Sequence, residues 1–175
     1  MKYTLNITTG KNSEIAQECE NLVLQNYYTK GGNLHYKNLT TNADYVIYVK
    51  NPKGQVVGFL NLVKQACFKN DITIMQVVVQ KNHQNQGLAN LMYSFCFSHS
   101  KEFGSIISIT RNDNPKIMSL HKKFNMKYVV LKNKGELMFY LPSAIIPNNK
   151  PMPNLQDIKN IEIASYDSNT KTIEK

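Results

Sequence analysis

Several runs of the sequence carry the apolar and polar alternation, or the enrichment in β-branched residues, that is typical of β-strands. These runs are Tyr3 to Thr8, Tyr45 to Lys50, Val56 to Lys64, Ile72 to Gln80, Ile106 to Thr110, Tyr128 to Leu131 and Leu137 to Leu141. Two intervals between them are short and end in glycine, at Asn51-Pro52-Lys53-Gly54 and Lys132-Asn133-Lys134-Gly135. These intervals predict two β-hairpins within a larger sheet.

Three segments between the strands instead repeat their apolar residues at the spacing of an α-helix. The first follows Ser13, the second begins just after Gly87, and the third covers Pro115 to Phe124. Together, the strands and helices predict an α/β fold of the α+β type, in which a mixed, largely antiparallel sheet is flanked by helices.

The composition changes near Leu141-Pro142, after which further prolines interrupt a polar stretch. We therefore expect one compact domain over residues 1–142 and a polar C-terminal extension over residues 143–175. Within the extension, Ile161 to Tyr166 has the pattern of a short edge strand. Ser168 to Lys175 has no apolar pattern and is expected to be a solvated end.

The composition favours a cytoplasmic protein that neither crosses nor anchors to a membrane. The chain has no long apolar run, and its first residues alternate polar and apolar side chains instead of forming a signal-peptide core. Its three cysteines, Cys19, Cys67 and Cys96, include no CxxC pair. Neither a disulfide framework nor a metal site is therefore expected.

The net charge of +9 at pH 7 suits a partner that carries phosphate groups. Arg111 is the sole arginine, and the lysines are scattered through the predicted loops. The chain therefore has few of the arginines that bind phosphates in bidentate fashion or read base edges, and the sequence does not favour nucleic-acid binding.

The segment from Val77 to Asn90 is the most informative part of the chain, because a β-rich run turns there through a polar loop into a helix. The first N–H groups of a helix have no intrahelical partner and carry the positive end of its dipole, so they can bind an anion. Gly87 and Ala89 keep large side chains away from such a ligand. A short glycine-containing loop could also be no more than a tight strand-to-helix turn.

Two motifs relate this segment to a known protein family. Gln84-x-x-Gly87-x-Ala89 resembles the Q/R-x-x-G-x-G/A loop of the GNAT superfamily of N-acetyltransferases. Downstream, the run from Asn114 to Met126 is similar to the N-x-x-A-x-x-L-Y-x-x-x-G-F segment of that family. The resemblance covers residues 1 to about 142, and it implies a sheet that splays apart where acetyl-coenzyme A binds.

The resemblance also implies a set of coenzyme-binding residues. The backbones of Val77 and Val79 would bind the pantetheine arm as an added strand would. The loop and first helical turn would hold the pyrophosphate, through Gln84, Asn85, Gln86, Gly87, Leu88, Ala89 and Asn90. Asn114 would face the coenzyme, cap the helix that follows it, or do both.

The family often uses a tyrosine to protonate the leaving coenzyme A thiolate, whereas the matching residue here is His121. An imidazolium, with a usual pKa of about 6.5, can protonate a thiolate whose conjugate acid has a pKa of about 8.5. We hypothesise that His121 assists as the acid, with Tyr128, Tyr93 and Tyr140 as reserves. A histidine at this place is alternatively an ordinary packed or solvated side chain.

Many family members also place a carboxylate where it accepts the proton of the amine, but the matching positions here hold Thr73 and Ile109. Asp71 and the glutamates of the first helix are more distant, and we expect them to be solvated surface charges. The sequence therefore leaves the general base open. This absence favours an acceptor with a low pKa, such as a protein N-terminus or a small amine.

The function predicted from the sequence is direct transfer of an acetyl group from acetyl-coenzyme A to a primary amine in a ternary complex. The amine would belong to a protein N-terminus, a lysine or a small molecule. The alternative is a sensor or scaffold that binds acetyl-coenzyme A and has lost catalysis. A homodimer formed through the last strand or the tail is a further option without direct support.

Overall fold

A computed structural model describes residues 2–27, 39–64, 71–99, 105–111, 113–131, 136–140, 164–167 and 172–174. Its strands are β1 (Lys2–Thr8), β2 (Tyr45–Lys50), β3 (Val56–Lys64), β4 (Asp71–Val79), β5 (Ser105–Arg111), β6 (Lys127–Leu131), β7 (Glu136–Tyr140), β8 (Ala164–Asp167) and β9 (Thr172–Glu174). Its helices are α1 (Ser13–Tyr27), α2 (Leu88–Ser98) and α3 (Pro115–Lys123). None of the helices in the described ranges is long and apolar enough to cross a membrane.

The strands form one sheet in the order β6-β7-β5-β4-β3-β2-β1-β8-β9. Neighbouring strands are antiparallel except for β4 and β5, which run parallel. The two predicted hairpins correspond to the antiparallel pairs β2–β3 and β6–β7. The prediction of a mixed, largely antiparallel sheet flanked by helices is therefore confirmed.

The parallel pair opens into a splay in the middle of the sheet. Pairing between β4 and β5 ends at Ile74 and Ser108, although both strands continue. Beyond that point β4 stays paired with β3 as far as Val79, and β5 stays paired with β7 as far as Arg111. The two strands therefore diverge, as the family resemblance implies.

A β-bulge in β4 lies next to the start of the splay. Asn61 of β3 pairs with Gln76 while the next residue, Leu62, pairs with Ile74, so Met75 has no partner in β3. Met75 is 40% exposed, whereas both of its neighbours in β4 are buried. Such a bulge bends a strand and increases its twist, which helps β4 to turn away from β5.

The two faces of the sheet have separate apolar cores. On one face, α1 buries Cys19 and Leu22 against Phe59 of β3 and Val78 of β4. On the other face, α2 packs on a larger core to which every strand from β1 to β5 contributes. Both helices are amphipathic in sequence, and each buries its apolar face on the sheet, so the end of β4 and the start of α2 are firmly held.

The third helix is fixed to the sheet by His121, whose side chain is fully buried. Its ring centroid lies 4.4 Å from that of Phe139 in β7, and its Nε2 lies 3.1 Å from the hydroxyl oxygen of Tyr93 in α2. Burial lowers the pKa of His121 to about 4, because the charged imidazolium loses its hydration there. At pH 7 this histidine is therefore neutral and forms part of the core.

The C-terminal extension departs from the prediction. β8 pairs with β1, and β9 pairs with β8, so β8 is an inner strand and the run from Thr172 to Glu174 belongs to the sheet. Part of the predicted solvated end therefore forms a strand, which lies at the edge of the sheet. Strand addition needs only backbone N–H and C=O groups, and the open edge of β1 provides them without an apolar pattern in the added strand. The domain boundary at residue 142 stays a prediction.

The burial of His121 predicts how the stability of the fold depends on pH. The unfolded state binds a proton on this histidine below pH 6.5, whereas the folded state does so only near pH 4. The neutral ring therefore makes its full contribution to the free energy of unfolding above pH 6.5. As the pH falls toward 4, the free energy of unfolding decreases by about 3 kcal/mol. Urea unfolding between pH 6.5 and 4 should show a smaller loss of the free energy of unfolding for His121→Phe than for the native protein. Equal losses in the two proteins would contradict the assignment of His121 as a buried, neutral histidine.

Candidate active site

A cleft of about 460 Å³ lies where the splay of β4 and β5 meets the first turn of α2. The residues predicted from sequence that line it are Val77, Val79, Gln84, Asn85, Gly87, Leu88, Ala89, Asn90 and Asn114. Gln86 belongs to the same loop but does not line the cleft. The fold thus brings most of the predicted coenzyme-binding residues together.

The loop before α2 contains two residues with left-handed backbone conformations. Asn85 has φ 62°, and Gly87, which is the N-cap of α2, has φ 84°. Glycine adopts such a conformation without a steric penalty, and asparagine tolerates it better than most residues. Gly87 has no side chain with which to cap the helix, so the N–H groups of the first turn face the cleft rather than a capping oxygen.

Two side-chain contacts hold this loop in place. The Nε2 of Gln84 donates a hydrogen bond to the carbonyl oxygen of Val79 at 3.1 Å. The hydroxyl oxygen of Tyr3 in β1 lies 2.9 Å from the Nδ1 of His83. Because the loop is fixed at both points, its N–H groups do not need to be reorganised when an anion binds.

The register of β4 determines where the backbone groups of Val77 and Val79 point. The N–H of Gln80 donates to the carbonyl oxygen of Val57 at 2.8 Å, so these residues are a hydrogen-bonded pair of the antiparallel ladder. Hydrogen-bonded and non-hydrogen-bonded pairs alternate along such a ladder. The N–H and C=O groups of Val77 and Val79 are therefore directed away from β3 and toward the splay.

The opposite wall of the cleft is the start of α3. The Oδ1 of Asn114 accepts a hydrogen bond from the N–H of Ile117 at 3.3 Å, so Asn114 caps the helix. Asn114 is also exposed and lines the cleft. Its capping role therefore leaves its amide nitrogen available to a ligand.

Sequence reasoning missed other residues that line the cleft, of which His83, Lys116 and Asn26 are polar. The positive charge of Lys116, two residues after Asn114 in the second motif, was a signal for an anionic ligand. Asn26 lies at the end of α1 and carries no motif, since only the packing of α1 on the sheet brings it to this place.

Of the predicted proton donors, the three whose side chains the structure describes do not line the cleft. The adjacent Leu120 faces it, whereas His121 is in the core, which favours a packing role for this histidine. Tyr128 of β6 is 50% exposed and also lies outside the cleft. Tyr93 is fully buried, and burial raises the pKa of its phenol. The side chain of Tyr140 lies outside the described residues.

Several carboxylates expected at the surface instead have specific partners. Asp71 is 1% exposed and accepts a hydrogen bond from the hydroxyl of Thr73 at 2.8 Å. Glu18 accepts from the N–H of Val56 and Glu20 from the N–H of Thr40, each at 3.0 Å. The expectation of a solvated charge is wrong for Asp71, which is buried, whereas Glu18 and Glu20 are half-buried and each bind the backbone of another segment.

The described residues provide no obvious nucleophile or metal centre. Cys19 and Cys96 are buried, and burial raises the pKa of both thiols, so neither is poised to act as a thiolate. Cys67 lies outside the described residues. Within the described ranges, no three side chains of the metal-ligating types come together.

Comparison with solved structures identifies this architecture as a known fold. An acetyltransferase of the GNAT family from Bacillus cereus ATCC 10987 superposes with a TM-score of 0.62, at 19% identity over 81% of this chain and 96% of the other. An acyl-CoA N-acyltransferase from Pseudomonas aeruginosa gives 0.61, at 10% identity over 79% and 98%. The ribosomal-protein-S18-alanine N-acetyltransferase from Escherichia coli gives 0.55, at 10% identity over 84% and 99%.

At these identities the structural likeness establishes the fold alone. A search among curated proteins found no significant match. The family model described as the acetyltransferase (GNAT) family, however, matches residues 12–126, which is well over half of the 175 residues. The match includes the splayed β4, the loop at Gly87 and the whole of α3. This chain therefore belongs to the GNAT acetyltransferase family.

Proposed function

We propose that the protein transfers an acetyl group from acetyl-coenzyme A to a primary amine within a ternary complex. The observation that carries the proposal is the meeting of two binding features in one cleft. One is the edge of β4 at Val77 and Val79, and the other is the start of α2 at Gly87. An extended amide-containing arm fits the first feature, and a pyrophosphate fits the second.

The positions of these features define how the coenzyme would lie. Its pyrophosphate would accept hydrogen bonds from the N–H groups between Gln84 and Asn90, and the helix dipole would add a favourable term. Lys116, on the opposite wall, would contribute a positive charge. The pantetheine arm would then run along β4 and place the thioester near the point where β4 and β5 separate.

The reaction needs an oriented amine and a polarised thioester. The neutral amine attacks the thioester carbon, the carbon–sulfur bond breaks, and the nitrogen loses a proton while the coenzyme A thiolate gains one. A backbone N–H directed into the splay, at Val77 or Val79, would stabilise the negative charge on the carbonyl oxygen. Holding both reactants in one cleft supplies much of the remaining rate enhancement.

Replacement of Gly87 by glutamate tests the coenzyme site. Gly87→Glu should weaken acetyl-coenzyme A binding at least 100-fold in calorimetry, because a side chain and a negative charge would enter the pyrophosphate position. Gly54→Glu is the matched control, since Gly54 has a similar φ of 80° in the exposed β2–β3 turn. The control should bind normally, and equal losses in both variants would contradict the assignment of the site.

Replacement of His121 tests the source of the proton for the thiolate. His121 is neutral at pH 7 and lies in the core, so His121→Phe should retain turnover to within a few-fold of the native value. Steady-state rates with a saturating amine would measure this. A loss of 100-fold or more in a variant that still binds acetyl-coenzyme A would restore His121 as the acid.

The described residues that line the cleft include no carboxylate, and this predicts a preference among amines. Deprotonation near pH 7 costs roughly 4.6 kcal/mol for a lysine but only about 1.1 kcal/mol for an α-amino group. Competition between a peptide with a free α-amine and one with only an internal lysine should therefore favour the α-amine. Mass spectrometry of the mixture would measure the ratio, and acetylation of the lysine alone would refute the preference.

A second candidate function is a sensor or scaffold that binds acetyl-coenzyme A without turnover. It is favoured by Thr73 and Ile109, which lack a carboxylate, and by the burial of His121. The two functions differ in one measurement. An enzyme acetylates an amine faster than acetyl-coenzyme A hydrolyses, whereas a sensor saturates with the coenzyme and yields no product.

A further inference from the structure

A row of apolar side chains crosses the sheet at the point where β4 and β5 separate. Met75 and Ile109 are the first residues of these two strands beyond the end of their pairing. Ile109 pairs with Met138 of β7, and Met138 pairs with Val129 of β6. The row therefore spans four strands, which is about 14 Å at the usual strand spacing.

This apolar row is open to solvent. Met75 and Ile109 are each 40% exposed and Val129 is 41% exposed, while Met138 is half-buried. Single exposed apolar side chains are normal, whereas a contiguous exposed group marks a binding surface more often than chance would. The row is therefore a surface that a ligand can reach.

Three members of the row lie on the face of the sheet that carries α1. The side chain of Ser108 hydrogen-bonds to Tyr93 of α2, so the next residue, Ile109, points to the opposite face. Cross-strand partners share a face, and Met138 and Val129 therefore point the same way as Ile109.

Met75 reaches the same face through the bulge in β4. Ile74 and Val77 both pack against the core on the α2 side. The two residues between them, Met75 and Gln76, therefore both point to the α1 face, as the two residues of a bulge do. Met75 and Ile109 thus stand on either side of the gap between the strands.

The two faces of the sheet offer different amounts of space at this gap. On the side of α2 and α3, the space is filled by four buried side chains, those of Ser108, Tyr93, His121 and Phe139. On the other side, α1 packs on β3 and β4 and leaves Ile109 exposed. With a thioester at the gap, an acceptor would approach over the α1 face and meet Met75 and Ile109 first.

The row also influences the charge of an amine that is held beside it. None of its four side chains is charged, and apolar surroundings disfavour the ammonium form, which lowers the pKa of the amine. A bound amine would therefore lose its proton more easily, although the row offers no base. A second charge on the acceptor would lose hydration there without gaining a partner.

We propose that this apolar row binds the hydrocarbon part of the acceptor, with Met75 and Ile109 as the residues that determine specificity. The acceptor would be a small primary amine whose substituent is an uncharged hydrocarbon chain or ring. Its nitrogen would lie at the gap between β4 and β5, and its substituent would extend toward Val129. This assignment rests on the proposed acetyl transfer.

Unbranched amines test the row, because propylamine, butylamine, pentylamine and hexylamine differ in length at nearly the same pKa. For the native protein, kcat/KM should rise roughly fourfold with each added methylene, which is the gain expected when a CH₂ group is buried. Pentylamine should also exceed 1,4-diaminobutane by roughly tenfold or more. The diamine has the same number of non-hydrogen atoms but ends in a second ammonium group.

Two variants place polar side chains of similar size in the row. Met75→Gln and Ile109→Thr should each reduce the gain in kcat/KM to less than about twofold per methylene. Val130→Thr is the matched control, because Val130 is also exposed but points to the opposite face of β6 from Val129. The control should keep the dependence on length that the native protein shows.

The native protein alone can overturn the proposal, even if a variant fails to fold. Rates that are independent of chain length, or that favour the diamine, would retain the acetyl transfer and reject the row. Binding of acetyl-coenzyme A without acetylation of any amine would instead refute the proposed function. Calorimetry with N-pentylacetamide and N-propylacetamide beside coenzyme A would then test the row alone, and equal affinities for the two would overturn it.

Discussion

The architecture of the candidate site depends on the end of strand pairing between β4 and β5 after Ile74 and Ser108. A central strand that loses one neighbour keeps backbone N–H and C=O groups that must find other partners, because leaving them unpaired is costly. Along β4 these groups belong to Val77 and Val79, and Val79 already accepts a hydrogen bond from Gln84. The remaining groups are suited to an extended ligand with amides of its own, which is why the splay is the place to seek the coenzyme.

The helix that follows completes the site because its first turn lines the same cleft as the splayed end of β4. Gly87 adopts a backbone conformation that most residues avoid, and the contacts of Gln84 and His83 hold the preceding loop. The anion site that we propose would therefore be built before any ligand arrives. Its rigidity comes from two cores on opposite faces of the sheet, one under α1 and one under α2. Binding energy can then go into orienting the acetyl donor instead of ordering the loop.

The polar groups around the splay are mostly neutral, and this sets the kind of chemistry that they can perform. His121 is uncharged in the core, and the buried amides of Asn61 and Gln76 carry no charge. Such surroundings orient a neutral amine better than they remove a proton. The mechanism that we propose is accordingly one of positioning and polarisation, in which the acceptor itself would supply a low pKa.

The order of strands and helices, both hairpins and the coenzyme loop could be predicted from the sequence, because they depend on local periodicity and on glycine at a turn. The partners of individual side chains could not. Periodicity places His121 at the border of a buried face, but only the packing of α3 against Phe139 and Tyr93 puts it in the core. The pairing of Asn61 with Gln76 depends on the register around the bulge at Met75, and that of β9 depends on an open strand edge. Such contacts depend on how strands align and helices pack, so only the tertiary structure decides them.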